Sequence, residues 1–224
     1  MKKRGLASGL HAGRSHAALL AGDLVLFPVF SPVVARALTA LVLLGICTAP
    51  LPISAQTIDI GQKADDYRLQ DTAGKTHSLG DYAGNVLVLA FWSFKCPSAL
   101  AVNDRLAAMQ KTYAAQGVVV LAVDSNANES KEEIQRNSAN LHISFPILLD
   151  SEGEVAQKLG AAVTPSVFLI DRNGILRYKG SLEGRDEKKR QSAADEALER
   201  ILAGKAVTNA VTQASGCVIK RKSS

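Results

Sequence analysis

Two cysteines of this chain stand where thiol chemistry could be done. Cys96 follows an apolar, β-branched and aromatic run, Val86 to Phe91, and precedes Pro97 and a helical pattern, so it lies at a strand-to-helix junction. Pro97 suits the first helical position, where its missing N–H costs nothing, and this puts Cys96 at or beside the N-cap. The unpaired N–H groups of that first turn, the positive end of the helix dipole and the neighbouring Lys95 all favour an anion there. Since the thiolate is the nucleophile, the placement predicts a reactive thiol; the competing reading is a small buried hydrophobe. Cys217, near the end of the chain, is a structural staple, a resolving thiol or an idle group.

The third cysteine, Cys47, belongs to a segment of another kind. Residues 1–55 hold five of the 26 basic and one of the 21 acidic residues, leaving 21 against 20 in the remainder, which is nearly neutral although the whole chain carries +5. Neither a basic patch for nucleic acid nor a low-complexity tract is left to explain. Arg36 precedes a mostly apolar run from Ala37 to Ala49, then Pro50 and Pro52 break the pattern before Ile53-Ser54-Ala55, which reads as a cleavage site. The run is about 13 residues long, short of the roughly 20 a membrane span needs, so residues 1–55 read as a signal peptide cut before Gln56, with an uncleaved anchor as the alternative. Cys47 would leave with the peptide. Export to an oxidising compartment, the periplasm being the expected one, then permits Cys96 and Cys217 to pair.

The elements that must position these cysteines follow from period and punctuation. A small hairpin, Tyr67–Leu69 with Thr76–Ser78, spans the turn Asp71-Thr72-Ala73-Gly74. After the strand beginning at Val86, the residues Ala99, Val102, Leu106, Met109 and Tyr113 recur at helical spacing and mark one amphipathic helix ending near Gly117. Val118–Val123 reads as a second buried strand, Lys131–Asn140 as a helix with a polar face, and Ile147–Leu149 as a short strand. This alternation implies parallel βαβ units. Val167–Ile170 and Ile175–Lys179 flank the hairpin turn Asp171-Arg172-Asn173-Gly174, and a last helix uses Ala194, Ala197, Leu198, Ile201 and Leu202 before Gly204. Residues 56–204 thus form the domain, and residues 205–224 form a tail. From Gly204 the tail extends up to about 40 Å at ~3.3 Å per residue, against a domain radius of gyration near ~15 Å, so Cys217 has the length to reach Cys96.

Phe91-Trp92 followed by Cys96-Pro97 resembles the active-site strand and helix start of thioredoxin-fold redoxins, the alkyl hydroperoxide reductase/thiol-specific antioxidant or peroxiredoxin-like group. The phrase from Asp71 to Leu79 is similar to their N-terminal hairpin. Leu202 to Val207 with Ser215-Gly216-Cys217-Val218-Ile219-Lys220 is similar to the C-terminal end of a peroxiredoxin-like subgroup. The resemblance implies an α/β thioredoxin-like fold, a central mixed β-sheet flanked by helices with an N-terminal β-hairpin. It also implies a cis bond at Thr164-Pro165 whose backbone faces Cys96. Three positions depart from the pattern: Ala99 stands where the second cysteine of the CxxC motif belongs, Ala90 where a buried acid is usual, and Leu89 where peroxiredoxins carry proline. Ser93 does meet the peroxiredoxin rule of Ser or Thr three residues before the reactive cysteine.

By this resemblance the chain is a secreted thiol-dependent oxidoreductase. The Cys96 thiolate reduces a hydroperoxide or exchanges with a disulfide, Cys217 is the candidate resolver, and an external thiol reductant closes the cycle. Trp92, Ser93, Lys95, Pro97, Thr164 and Pro165 line or support the cleft. The alternative is a non-catalytic binding module that holds a partner chain beside Pro165. No cofactor or metal is expected: His77 and His142 lie in unrelated segments without a second ligand at metal spacing and read as surface or ordinary structural histidines. Lys188-Lys189-Arg190 reads as a solvated face, and membrane contact is expected only through an uncleaved N-terminal segment.

The leader reading has a direct test. N-terminal sequencing of the exported protein should begin near Gln56, whereas an intact Met1 terminus in the membrane fraction would replace the signal peptide with an anchor.

Overall fold

The run from Val86 is apolar at every position because it is buried on both sides. Its strand, β3 (Val86–Phe91), has six fully buried residues. Side chains alternate across a sheet, so Val86, Val88 and Ala90 enter one apolar layer while Leu87, Leu89 and Phe91 enter the other. The computed structural model describes residues 57–183 and 192–222. The proposed leader, Cys47 and the basic run at 188–190 lie outside them.

Around β3 a seven-stranded mixed sheet forms in the order β2-β1-β5-β4-β3-β7-β8. β1 is Arg68–Asp71, β2 Thr76–Ser78, β4 Val118–Asp124, β5 Ile147–Leu149, β7 Ser166–Ile170 and β8 Leu176–Gly180. β3 runs parallel to β4, and β4 to β5; the pairs β1–β2, β1–β5, β3–β7 and β7–β8 are antiparallel. A separate two-stranded ladder joins β6 (Val163–Thr164) to β9 (Cys217–Val218). The fold is the expected α/β arrangement, with helices on both faces of a mixed sheet.

One layer takes α1 (Pro97–Leu100), α2 (Asn103–Tyr113), α3 (Lys131–Asn140) and α5 (Ala193–Leu202) through Ala99, Leu106, Met109, Ile134, Ala197 and Leu198. The other takes α4 (Glu154–Leu159) through Val155, Ala156 and Leu159. Ser130 and Ser192 start α3 and α5 with reciprocal capping boxes to Glu133 and Asp195.

Two expectations are corrected in detail, and one helix carries no signal in the sequence. The single helix read from Ala99 to Tyr113 breaks at Ala101–Val102, and Asn103 opens α2 with its Oδ1 accepting the buried Trp92 indole N–H at 2.8 Å. An unpartnered indole N–H in that core would be costly, and the break supplies its acceptor. β1 begins one residue later and runs on to Asp71, because Gln70 and Asp71 also pair with β5. α4 was not legible: it has six residues, too few for a period, and its first N–H groups are satisfied by the Asp150 carboxylate, 3.2 Å from Val155 N and 3.0 Å from Ala156 N.

The tail crosses the domain along a defined path. Lys179 N donates to Ala210 O at 2.9 Å and Thr212 N to Lys179 O at 3.0 Å, so the chain first lies along β8. There Gly180 is indispensable, because a Cβ on it would fall 2.4 Å from the Thr212 carbonyl oxygen. The tail then pairs with β6 and drops Ile219, 4% exposed, into the layer under α4. Removing that side chain should cost about 2–5 kcal/mol, as for other buried Ile→Ala changes. Ile219→Ala is therefore expected to lower the urea midpoint clearly; an unchanged midpoint would mean that the tail does not contribute to the core.

Candidate active site

Cys96 is the N-cap of α1, with extended backbone (φ −103°, ψ 111°) and Pro97 in the first turn. Its carbonyl accepts from Ala99 N and Leu100 N, both at 3.0 Å. Its Sγ is bonded to Cys217 Sγ, with the two Cα atoms 5.9 Å apart, inside the usual span for a disulfide. The sulfur also lies 3.1 Å from the Thr164 carbonyl oxygen. In the disulfide this is a contact without a proton, whereas a free thiol could donate there. The Thr164–Pro165 bond is cis. Thr164 Oγ1 in turn donates to the Cys217 carbonyl at 3.5 Å.

Cys96, Cys217, Thr164, Pro165, Trp92 and Pro97 are thus brought to one place. Trp92 is fully buried in the same layer as Cys96, and Phe94 and Cys217 pack on that layer's edge. Ser93 supports the turn that carries Cys96, whereas Lys95 differs from expectation. The Ser93 hydroxyl donates to Glu129 Oε1 and accepts from Lys95 N at 3.1 Å, so it is committed to the turn rather than to the sulfur. The Lys95 ammonium donates to the Asn128 carbonyl and stands 3.8 Å from Glu133. Its charge is spent on the α3 side of the turn. The two histidines separate as well: His142 is exposed, whereas His77 is buried, its Nε2 2.9 Å from Asp71 Oδ2 and its Nδ1 2.5 Å from the Tyr82 hydroxyl. His77 is a structural histidine away from the cysteines. Among the described residues no group of three or more His, Cys, Asp or Glu side chains could hold a metal ion.

What sequence reasoning missed is a buried acid pair beside the site. Asp124 ends β4 at 2% exposure, and Glu129 follows in the next loop at 7%. Glu129 Oε2 accepts from Phe94 N at 3.1 Å, which fixes the turn that carries Cys96. Asp124 Oδ1 accepts from Asn126 N at 2.9 Å and from Asn126 Nδ2 at 3.1 Å, while its Oδ2 faces no donor. Burial, together with the hydrogen bond and charge of Glu129, pushes the Asp124 carboxyl up to about 8. The acid therefore holds its proton well above the ordinary carboxyl range. Asn126 links the pair to the tail, its Oδ1 accepting from Lys220 N at 3.0 Å. The available signal was the abrupt change from the apolar strand to Asp124-Ser125-Asn126 at the carboxyl end of a parallel strand, where α/β sheets gather functional groups.

A model of the AhpC/TSA family matches residues 60–179, more than half of the chain. The chain belongs to the AhpC/TSA family. Within the thioredoxin-like structures that surround the family, its likeness is to a hypothetical protein, SMc02350, of Sinorhizobium meliloti 1021, with TM-score 0.67 and 30% identity over 75% of this chain and 98% of that one. A putative thiol:disulfide interchange protein DsbE of Chlorobium tepidum gives TM-score 0.54 and 28% identity over 66% of this chain and 98% of that one. The thiol-disulfide oxidoreductase ResA of Geobacillus thermodenitrificans is 32% identical over 117 residues, 52% of this chain. This AhpC/TSA chain spans 66% of the ResA protein's length, just under two thirds.

The acid pair predicts how stability responds to pH. Asp124 in an unfolded chain would ionise near ~3.9, so from about pH 4 to about pH 8 the folded protein holds a proton that the unfolded one has released. The contribution is fully present below pH ~4 and is lost as pH rises through about 8. The melting temperature should fall between about pH 4 and about pH 8, and Asp124→Asn should flatten that slope. Parallel slopes for the two proteins would remove the proton from the pair.

Proposed function

We propose that this protein is an exported thiol-disulfide oxidoreductase whose exchanging pair is Cys96 and Cys217. The observation that carries the reading is the bond between them, made at a helix start beside the Thr164 carbonyl, in a chain with alanine at the position of the motif's second cysteine. The likeness to ResA and DsbE supports disulfide exchange as the reaction class. In this reading residues 56–204 are the redoxin domain, residues 205–224 are the arm that carries its second thiol, and residues 1–55 direct export to the periplasm. Among the described residues no helix is long and apolar enough to cross a membrane.

The reaction balances as two exchanges. In the reduced protein the Cys96 thiolate attacks one sulfur of a partner disulfide; that bond breaks, a mixed disulfide forms, and the partner's other sulfur leaves as a thiolate that takes a proton. The Cys217 thiolate then attacks Cys96 Sγ, closes the intramolecular disulfide and releases the partner's remaining thiol. The partner gains two electrons and this chain loses two, to be restored by an external dithiol. A hydroperoxide would reach the same disulfide through a sulfenic acid on Cys96, with loss of alcohol or water and then of water. The Ser93 hydroxyl, committed to Glu129, weighs against that route.

Peptide mapping after acid quench and alkylation tests the proposal. Reduced protein given oxidised glutathione should yield the Cys96–Cys217 linkage, and Cys217→Ser should stop at a glutathione adduct on Cys96. Hydrogen peroxide should act at least tenfold more slowly. An unmodified Cys96 in both proteins would end the exchange reading, and faster oxidation by peroxide would make the protein a thiol peroxidase. Closing a loop with a sequence separation of 121 is worth roughly 4–5 kcal/mol in the chain-entropy model, so reduction should lower the melting temperature by about 10 °C.

A further inference from the structure

β6 is an edge with an occupant. Val163 pairs with Val218 and Thr164 with Cys217 in antiparallel register, and Ile219 N donates to the Ala162 carbonyl at 3.0 Å. Beyond this ladder Ala127 N donates to Lys220 O at 2.7 Å. All of these contacts, like the one from Lys220 N to Asn126, use the tail's main chain, and any extended polypeptide could make them. The side chains are treated unequally. A Cβ at Gly216 (φ +152°) would lie 2.0 Å from the Thr164 carbonyl oxygen and 3.2 Å from Pro165 Cδ, so the position before the cysteine admits only glycine in this pose. Val218, 63% exposed, meets no requirement, while Ile219 is 4% exposed in an apolar pocket.

From this we infer that the tail segment Gly216–Ile219 sits in the groove that receives the partner, and that the partner presents an extended Gly-Cys-x-apolar segment of a polypeptide. The inference rests on the exchange reading above and names its substrate class. The backbone ladder supplies affinity, the Thr164 carbonyl reads the glycine, and the Ile219 pocket reads the apolar residue two positions after the cysteine. Tail and partner exclude one another, since both require Val163 and Thr164. The tail therefore leaves β6 before the partner's cysteine meets Cys96, and its return displaces the partner as Cys217 resolves the mixed disulfide. No new redox step is needed.

The test uses the full chain with Cys47→Ser and Cys217→Ser, so that Cys96 is its one thiol. The probe is the peptide Ala-Ser-Gly-Cys-Val-Ile-Lys with its cysteine activated as a thionitrobenzoate mixed disulfide. Attack on the peptide sulfur releases the coloured thiolate. Replacing the peptide's glycine by alanine, or its isoleucine by serine, should slow release at least tenfold, whereas replacing its valine by lysine should change it less than twofold. Adding Gly216→Ala to the protein should drive the tail from β6 and speed the parent peptide several-fold with the same order of preference. Rates within twofold for all four peptides in both proteins would overturn the inference. If Ellman's reagent reacts rapidly with Cys96 in that case, the exchange reading survives it. If neither reagent nor peptides react, both fall.

Discussion

The geometry depends on one close approach, that of the tail's main chain at Gly216 to the carbonyl of Thr164. Two peptide groups come together there with no side chain between them, and only this brings the Cys217 sulfur within bonding distance of a helix start in another part of the chain. Every other contact of the tail makes that approach durable. Ile219 supplies apolar burial, Asn126 and Ala127 satisfy the Lys220 peptide, and Arg221 Nη2 donates to the Ala161 carbonyl at 3.1 Å. On the opposite side, Cys96 stays put because β3 is paired with both β4 and β7 and buried on both faces. The strand that carries the thiol to its place is thus the most constrained in the sheet, and the strand that carries its partner is only two residues long.

Such an asymmetry suits a pair of thiols with unequal tasks. A sulfur held at a helix start is fixed by the sheet behind it, while the sulfur on the short edge ladder can leave only together with Ile219 and the hydrogen bonds of Lys220 and Arg221. The acid pair lies between the two. Glu129 holds the turn before Cys96, and Asn126, bonded to Asp124, holds the peptide after Ile219. Loss of the Asp124 proton would place a buried charge at the point where turn and tail meet.

Most of the fold was legible because its elements carry strong periods or strong punctuation. β3 and β4 are unbroken apolar runs, α3 and α5 begin with capping residues, and Asp171-Arg172-Asn173-Gly174 is a turn on its face. The ends of the chain's logic were harder. α4 draws its cap from Asp150, four positions before its first residue, and is too short to show a period. The break between α1 and α2 answers the indole of Trp92, a need that exists only once the core has formed. At the site, the two cysteines, the proline and the threonine were recoverable from spacing and resemblance. Ser93 was also marked as a supporting residue, but its partner, Glu129, 36 residues away, was not legible. Asp124 and Glu129 are ordinary in sequence, a carboxylate at a strand end and another in a loop, and what sets them apart is burial.

The tether between Gly204 and Cys217 also sets a clock. A thiol on a chain this short is present at an effective concentration of about a millimolar or more wherever the chain can reach, and free partner thiols in dilute solution rarely match it. If Cys217 resolves adducts on Cys96 as proposed, the lifetime of such an adduct is set by the competition between the returning arm and the partner for the edge at Val163 and Thr164. On the same proposal the length and stiffness of residues 205–216 set how often the arm competes for that edge.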